Sequence, residues 1–301
     1  MKVLITGATG LVGRELIRLL VSKNIQVNYL TTRKTAVNNI PNCKGFYWNP
    51  KKGEVDANCI HGVDKIIHLA GASVAKRWTN SYKKEIISSR ILSTQLLYSL
   101  LKSTSHQVTQ IVSASAVGIY NHSFTTVYDE TSVEFGTGFL AEVVKLWEAE
   151  IDQFSELNIT VSKLRIGLVL SENGGALSEL VKPIKMGLGS SIATGNQMVS
   201  WVHVKDLSKM FLHVVEHNLE GVYNATAPIS VTNRELTKAI AHQLHKPLFL
   251  PNIPKLVMRL ILGEMHIMIC DSQNVSSKKI LSTGFHFKYN DIHTALKSLL
   301  A

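Results

Sequence analysis

The sequence predicts an α/β protein, a doubly wound, largely parallel sheet with helices on both faces, joined to a second, smaller and mostly helical lobe. Three observations predict it. An apolar run, Lys2 to Thr6, breaks into spaced glycines and re-forms as a helix from Arg14 to about Lys23. Strand-like and helix-like runs then alternate through the first half, and the chain from Ile229 onward carries mainly helical periodicity. With no internal repeat and no low-complexity linker, the lobes are expected to interleave. Residues 1–170 and 199–228 would form the larger and 171–198 with 229–301 the smaller.

Gly7, Gly10 and Gly13 follow the first strand at the spacing G-x-x-G-x-x-G. Chance produces such spacings among 19 glycines in 301 residues. Lying between a strand and a helix, however, this one is the expected entrance to a Rossmann-type dinucleotide-binding unit. Gly7 allows the tight turn, Gly10 a close approach of pyrophosphate, and Gly13 close packing of helix on strand. The backbone through Thr9, Leu11 and Val12 completes the cradle at the helix N-terminus.

The second strand, Gln26 to Leu30, leads into Thr31-Thr32-Arg33-Lys34. NAD enzymes carry an acid there for the ribose 2′-hydroxyl. Arg33 and Lys34, beside Thr32 as a further cofactor contact, offer instead charge for a 2′-phosphate, which predicts NADP over NAD, unless Arg33 and Lys34 are simply exposed loop cations. Phe46 to Trp48 reads as a third strand, with Trp48 and Asn49 expected near the adenine. The fourth, Lys65 to Leu69, runs into Ala70-Gly71, so Leu69, Ala70 and Gly71 are expected against the cofactor, while His68 packs.

A helix follows from about Thr79 to Ser103. The fifth strand, Gln110 to Ser113, leads into a hydroxyl-rich segment ending at Tyr120, placed where open α/β sheets face their ligands. Next come a helix from Gly138 to about Leu157, a strand from Thr160 to Arg165, and an excursion over 171–195 with a helix at Ala176 to Lys185. Trp201 to Asp206 opens another helix, with Asp206 as N-cap or first-turn acid, and Gly221 to Ala225 returns as a strand. Leu256 to Cys270 reads as an amphipathic helix, too short and polar to span a bilayer, and is the candidate subunit contact of a homodimer.

Composition narrows the function classes. With 45% hydrophobic and 18% charged residues the chain is ordinary for a soluble globular protein. The N-terminus resembles no signal peptide, so a cytoplasmic location is expected. Cys43, Cys59 and Cys270 form no CxxC and leave an odd count, which predicts neither disulfides nor a metal site. A formal charge of +10 suggests nucleic acid, but the lysines occur as scattered pairs without interleaved aromatics. The expected partner is a small-molecule substrate, with no nucleic acid and no membrane.

Several separated motifs carry a resemblance that covers nearly the whole chain. They include Ile67-His68-Leu69-Ala70-Gly71, Ser88-Ser89-Arg90, Ser113-Ala114-Ser115-Ala116-Val117-Gly118, Phe139-Leu140-Ala141-Glu142, Trp147-Glu148, Trp201-Val202-His203 and Leu262-Gly263-Glu264. The chain resembles the extended short-chain dehydrogenase/reductases of the NAD(P)-dependent epimerase/dehydratase family, and within them the atypical "epimerase family protein" subgroup.

That resemblance implies a serine after the fifth strand, matched by Ser115, paired with Tyr-x-x-x-Lys on the next helix. The pair is missing, because Ala141 stands four residues before Lys145, and the adjacent register gives Leu140 and Val144. Tyr120, Glu142 and Lys145 are the candidate replacements, Tyr120 first. The alternatives are a packing tyrosine, a solvent-facing glutamate and a lysine kept for ribose contacts. Arg90 takes the place of the family's helix asparagine and, with Ser113, is a candidate cofactor contact. The leading reading is an atypical NADP-dependent oxidoreductase or epimerase acting on a small carbonyl or sugar-like substrate, with Ser115 polarising the reacting oxygen. The alternative is a catalytically degenerate nucleotide sensor or partner-binding protein.

Overall fold

The computed structural model describes residues 1–37 and 39–300. In the first half strands and helices alternate as β1 (Lys2–Thr6), α1 (Leu11–Ser22), β2 (Gln26–Thr31), β3 (Cys43–Asn49), β4 (Glu54–Val55), β5 (Lys65–His68), α2 (Asn80–Ser103), β6 (Gln110–Ala116), β7 (Val127–Tyr128) and α3 (Phe139–Asp152). They continue as β8 (Thr160–Ile166), β9 (Leu168–Leu170), α4 (Ala176–Lys185), β10 (Met198–Val199), β11 (Trp201–His203), α5 (Val204–Glu216) and β12 (Gly221–Ala225). The end of the chain forms β13 (Val231–Thr232), α6 (Asn233–Gln243), α7 (Lys255–Leu262), α8 (Ile267–Cys270), β14 (Asn274–Val275), α9 (Lys278–Ser282) and α10 (Ile292–Leu300).

Eight strands make one sheet in the order β12-β8-β6-β5-β1-β2-β3-β4. Every neighbouring pair is parallel except β3 with β4. The order reverses between β1 and β5, which is the topological switch point where ligands of open α/β sheets bind. On its two sides α1 packs against α5 and α2 against α3, covering opposite faces as right-handed crossovers require. Burial on both faces explains why Val3, Leu4, Ile5, Ile66, Ile67 and Ile111 are wholly inaccessible.

A second apolar cluster joins Leu170, Leu177, Val181 and Trp201 to Leu236, Ile240 and Leu296, segments far apart in sequence. We propose 171–198 and 229–301 as the smaller lobe on that basis, although Ile280, Phe285 and Phe287 pack in the core of the large sheet. Another cluster bridges the two, with Met265 and Ile267 against Trp78, Phe139 and Leu140.

Some boundaries differ from expectation. The fifth strand runs on to Ala116, which carries Ser115 inside the sheet. Leu256 to Cys270 is not one helix, because Gly263 adopts φ +60 and a 3₁₀ turn, Gly263–His266, separates α7 from α8. Asp206 is the acid in the first turn of α5, as expected, but not its N-cap. The His203 ring accepts from the Lys205 N–H, and the Asp206 carboxylate, buried, accepts from the N–H groups of Lys288 and Tyr289.

Candidate active site at the sheet switch point

The glycine turn lies at the carboxyl end of β1, against the end of β5. Gly7 has φ +69, and a Cβ there would come 2.8 Å from the Leu69 carbonyl carbon and oxygen. A Cβ on Gly13 would stand 2.3 Å from the Gly7 carbonyl oxygen. Neither position accepts a side chain. Gly10 caps α1 without a side-chain hydrogen bond, and the first turn holds no acid. The N–H groups at Leu11, Val12 and Gly13 therefore remain for an anion, beside exposed Thr9 and Gly10.

Thr6 fixes the other lip of the crevice. Its hydroxyl accepts from the N–H groups of Leu69 at 3.0 Å and Ala70 at 3.1 Å, so its own proton goes to His68 Nδ1 at 2.8 Å. His68 is then the Nε2–H tautomer and donates to Thr94 Oγ1 at 3.2 Å, which donates to the Arg90 carbonyl. Burial, assisted by the Arg90 charge, pushes the His68 pKa down to about 3. Thr6 and Thr94 were not foreseen, although a threonine ending the first strand beside a glycine turn was the available signal.

A pH prediction follows from His68, which Thr6, Ser93, Thr94 and Arg90 surround. Unfolded histidine binds a proton near pH 6.5 and the native ring only near 3. Between those values the unfolded state holds more protons, so stability falls as the pH is lowered, by about 1.4 kcal/mol per unit from this group. Histidine ring NMR should show His68 untitrated from pH 7 to 4.5. A midpoint near 6 would refute it.

At the adenine end, Thr32 and Arg33 are exposed, and no acid lies at the end of β2. The Arg33 guanidinium has no hydrogen bond or ion pair within the described residues, while Lys34 Nζ stands 5.1 Å from the Tyr47 ring centre. Trp48 is a correction. It is 3% exposed and belongs to the core, because alternate residues of a strand face opposite ways. Half-buried Tyr47 and Asn49 share the other face, with Asn49 Nδ2 3.4 Å from the Tyr47 hydroxyl.

Leu69 and Ala70 are half-buried and Gly71 exposed where β5 ends. Arg90 lies behind this loop, its Nη1 donating to the carbonyls of Ala72 at 3.2 Å and Ile86 at 2.9 Å. Its guanidinium carbon sits 5.0 Å from the Trp147 ring centre, and burial lowers its pKa to about 10. Arg90 thus braces the loop, and its other two nitrogens make no hydrogen bond among the described residues. Ser113 is wholly buried and donates to the Ala114 carbonyl. It is enclosed within the sheet, and the expected ligand contact is withdrawn.

The proposed acid/base residues do not converge. Ser115 donates to Glu148 Oε1 at 2.5 Å. Arg165, beside Ser115 in the β6–β8 register, grips the same carboxylate through Nε at 2.9 Å and Nη2 at 2.8 Å. Burial raises the carboxyl pKa, but the hydrogen bonds and charge of Arg165 outweigh it and hold Glu148 below the ordinary value. Burial likewise disfavours charge on Arg165, and Glu148 outweighs it.

Tyr120, the first candidate acid, is 1% exposed. Its hydroxyl donates to Asn224 Oδ1 at 2.8 Å and accepts from Arg165 Nη1 at 3.0 Å, and its ring stacks on Tyr128. Burial leads in raising its pKa. It is a packing tyrosine. Glu142 is exposed on α3, away from the buried row Ala141, Val144, Glu148 and Ile151. Lys145 is also exposed and donates to the Gly136 carbonyl at 2.9 Å.

Where the tyrosine is missing, Ala141 is buried, and in the adjacent register Leu140 packs with Trp78, Phe139, Met265 and Ile267 while Val144 is buried. Glu148 and Arg165 were missed as site residues. Their signal was a charge on the apolar face of a predicted helix and another inside a predicted strand. Among the described residues, no cluster of His, Cys, Asp or Glu can hold a metal ion. No helix among them is long and apolar enough to cross a membrane.

Comparison with known proteins agrees with this architecture. Residues 3–226 match the model of the NAD dependent epimerase/dehydratase family, and residues 253–299 match a domain of unknown function, DUF1731. The chain is 37% identical over 298 residues to the epimerase family protein SSP1921 of Staphylococcus saprophyticus, covering 99% of this chain and 98% of that protein. It is similar to the crystal structure of the human epimerase family protein SDR39U1 with NADPH, with TM-score 0.85, 28% identity, and coverage of 100% and 99% of the two chains. It is also similar to a nucleoside-diphosphate sugar epimerase from Corynebacterium glutamicum, with TM-score 0.79 and 28% identity, covering 100% of this chain and 58% of that one.

Proposed function

We propose that this chain, which belongs to the NAD dependent epimerase/dehydratase family, is an atypical NADP-dependent oxidoreductase or epimerase. Its substrate would be a small carbonyl, alcohol or sugar-like molecule held between the carboxyl edge of the sheet and the helical lobe. The observation that carries the reading is the cradle at the switch point, where two glycines admit no Cβ and α1 presents uncapped N–H groups. The dinucleotide supplies hydride transfer when bound. Arg33, exposed at the end of β2 and without a side-chain partner among the described residues, supports NADP over NAD, as does the NADPH in the human relative's structure. The name of the Corynebacterium relative supports a sugar-like substrate.

A specific observation favours a second reading, a nucleotide-sensing or partner-binding protein without turnover. Ala141 four residues before Lys145, and Leu140 before Val144 in the adjacent register, leave no tyrosine–lysine pair, and Tyr120 is committed to Asn224 and Arg165. Single-turnover spectroscopy at the nicotinamide absorbance, with a panel of alcohols, carbonyls and sugars, separates the two. Turnover with any member removes the sensor. Inactivity toward all of them removes the oxidoreductase.

The cofactor choice has its own test. A charge-assisted contact contributes about 1.5–3 kcal/mol, so Arg33→Ala should lower the NADP/NAD affinity ratio by about 10–100-fold in calorimetry. An unchanged ratio would show that Arg33 does not read the 2′-phosphate.

A further inference from the structure

We propose that Glu148 and Arg165 are positioning residues that hold Ser115 as a hydrogen-bond acceptor toward the ligand, so that the site selects an alcohol hydroxyl over a carbonyl oxygen. The inference rests on the reading that a ligand reaches the end of β6, and it reverses the direction in which a serine polarises a carbonyl.

A serine hydroxyl has one proton and two lone pairs. At 2.5 Å from Glu148 Oε1 that proton is committed to a carboxylate, at the short end of the range for charge-assisted O–H···O⁻ bonds. Glu148 has no proton to return. Arg165 occupies both its oxygens, and Lys163 Nζ stands 4.0 Å from Oε2. The side chains of Glu148 and Arg165 are 10% and 5% exposed, so water competes weakly for these bonds.

Arg165 is itself fixed. Its remaining terminal nitrogen donates to the Tyr120 hydroxyl, which donates to Asn224, whose Nδ2 donates to the Ser276 carbonyl. Donation thus runs outward from Arg165, on one side to Glu148 and on the other through Tyr120 and Asn224 to Ser276, and nothing in it offers Ser115 a second donor. Ser115 is 3% exposed, and immediately after it the backbone turns half-exposed at Ala116, Val117 and Gly118, the side from which a ligand would reach it. Only lone pairs remain for the ligand. To donate to a carbonyl, Ser115 would have to leave Glu148 and give up a charge-assisted hydrogen bond. An alcohol meets Ser115 as it stands, which gives it a preference of about tenfold to a hundredfold.

Two measurements on the full chain test this. A hydroxyl proton held against a buried carboxylate exchanges slowly and resonates downfield of the backbone amides. One such proton signal is expected in the wild type and in S115T, and none in S115A. Its absence from the wild type, or its survival in S115A, overturns the inference whether or not the protein turns over any substrate.

Cyclohexanol and cyclohexanone are then titrated calorimetrically into NADP-loaded protein. The alcohol should bind at least tenfold more tightly, and E148Q, whose amide can donate to Ser115 and turn its hydroxyl outward, should erase that ratio while NADP affinity stays constant. Equal binding, a ketone preference, or no binding of the alcohol overturns the selectivity. If E148Q does not fold, S115A supplies the comparison, since it should lose the alcohol preference.

Discussion

Arg165→Ala should destabilise the protein by about 3–5 kcal/mol, the cost of removing one member of a buried ion pair and leaving the other without a partner. Glu148 would keep a carboxylate in a site 10% exposed, and its pKa would move from below the ordinary value to above it. Lys163 cannot replace the lost partner, because it already binds Asp152 at 2.6 Å and stands 4.0 Å from Glu148. Tyr120 would lose one of its two hydrogen bonds in the same step. Urea unfolding should show the loss at pH 7, and much of it should disappear at a pH low enough to protonate Glu148. The double variant Arg165→Leu with Glu148→Leu should recover stability relative to the single one. A single-variant loss under 1 kcal/mol would show that the pair is more solvated than its burial indicates.

The second large effect is expected at Gly13. Alanine there places a carbon 2.3 Å from the Gly7 carbonyl oxygen and 2.9 Å from the Ala8 Cα. Both obstacles are backbone, so no rotamer change relieves them. Either α1 shifts off β1 or the turn opens, and both displace the N–H groups proposed to receive the pyrophosphate. Gly13→Ala should therefore weaken dinucleotide binding by at least about a hundredfold and cost about 1–3 kcal/mol of stability. Gly138→Ala is the control, since a Cβ at that exposed helix start meets nothing within 4 Å. It should bind dinucleotide like the wild type. Normal affinity in Gly13→Ala would place the phosphates elsewhere.

The features legible in the sequence are those fixed by local rules. The turn at Gly7 and Gly13 combines backbone constraint with position, and strand–helix alternation leaves few topologies once right-handed crossovers are required. Trp48 shows a local rule left unapplied, since alternation within its strand turns it away from Asn49. Tyr120 shows a limit. Five residues from Ser115 in sequence, it enters the sheet through Asn224, a partner 104 residues away. Ser115 was legible as a position, whereas the direction of its hydrogen bond depends on Glu148, which only the packing of α3 on β6 and β8 brings within reach.

The Thr6–His68–Thr94 relay has a consequence for the character of the crevice. That relay passes its protons from Thr6 through His68 to Thr94 and the Arg90 carbonyl on α2, and the proton of Ser115 goes to Glu148. The crevice is therefore electrically two-toned. Its phosphate end offers donors supplied by the backbone of α1, and its reacting end offers an acceptor supplied by a side chain. On the proposed reading, a ligand extended along it would lie with its anionic end on the helix and its hydroxyl end on the serine.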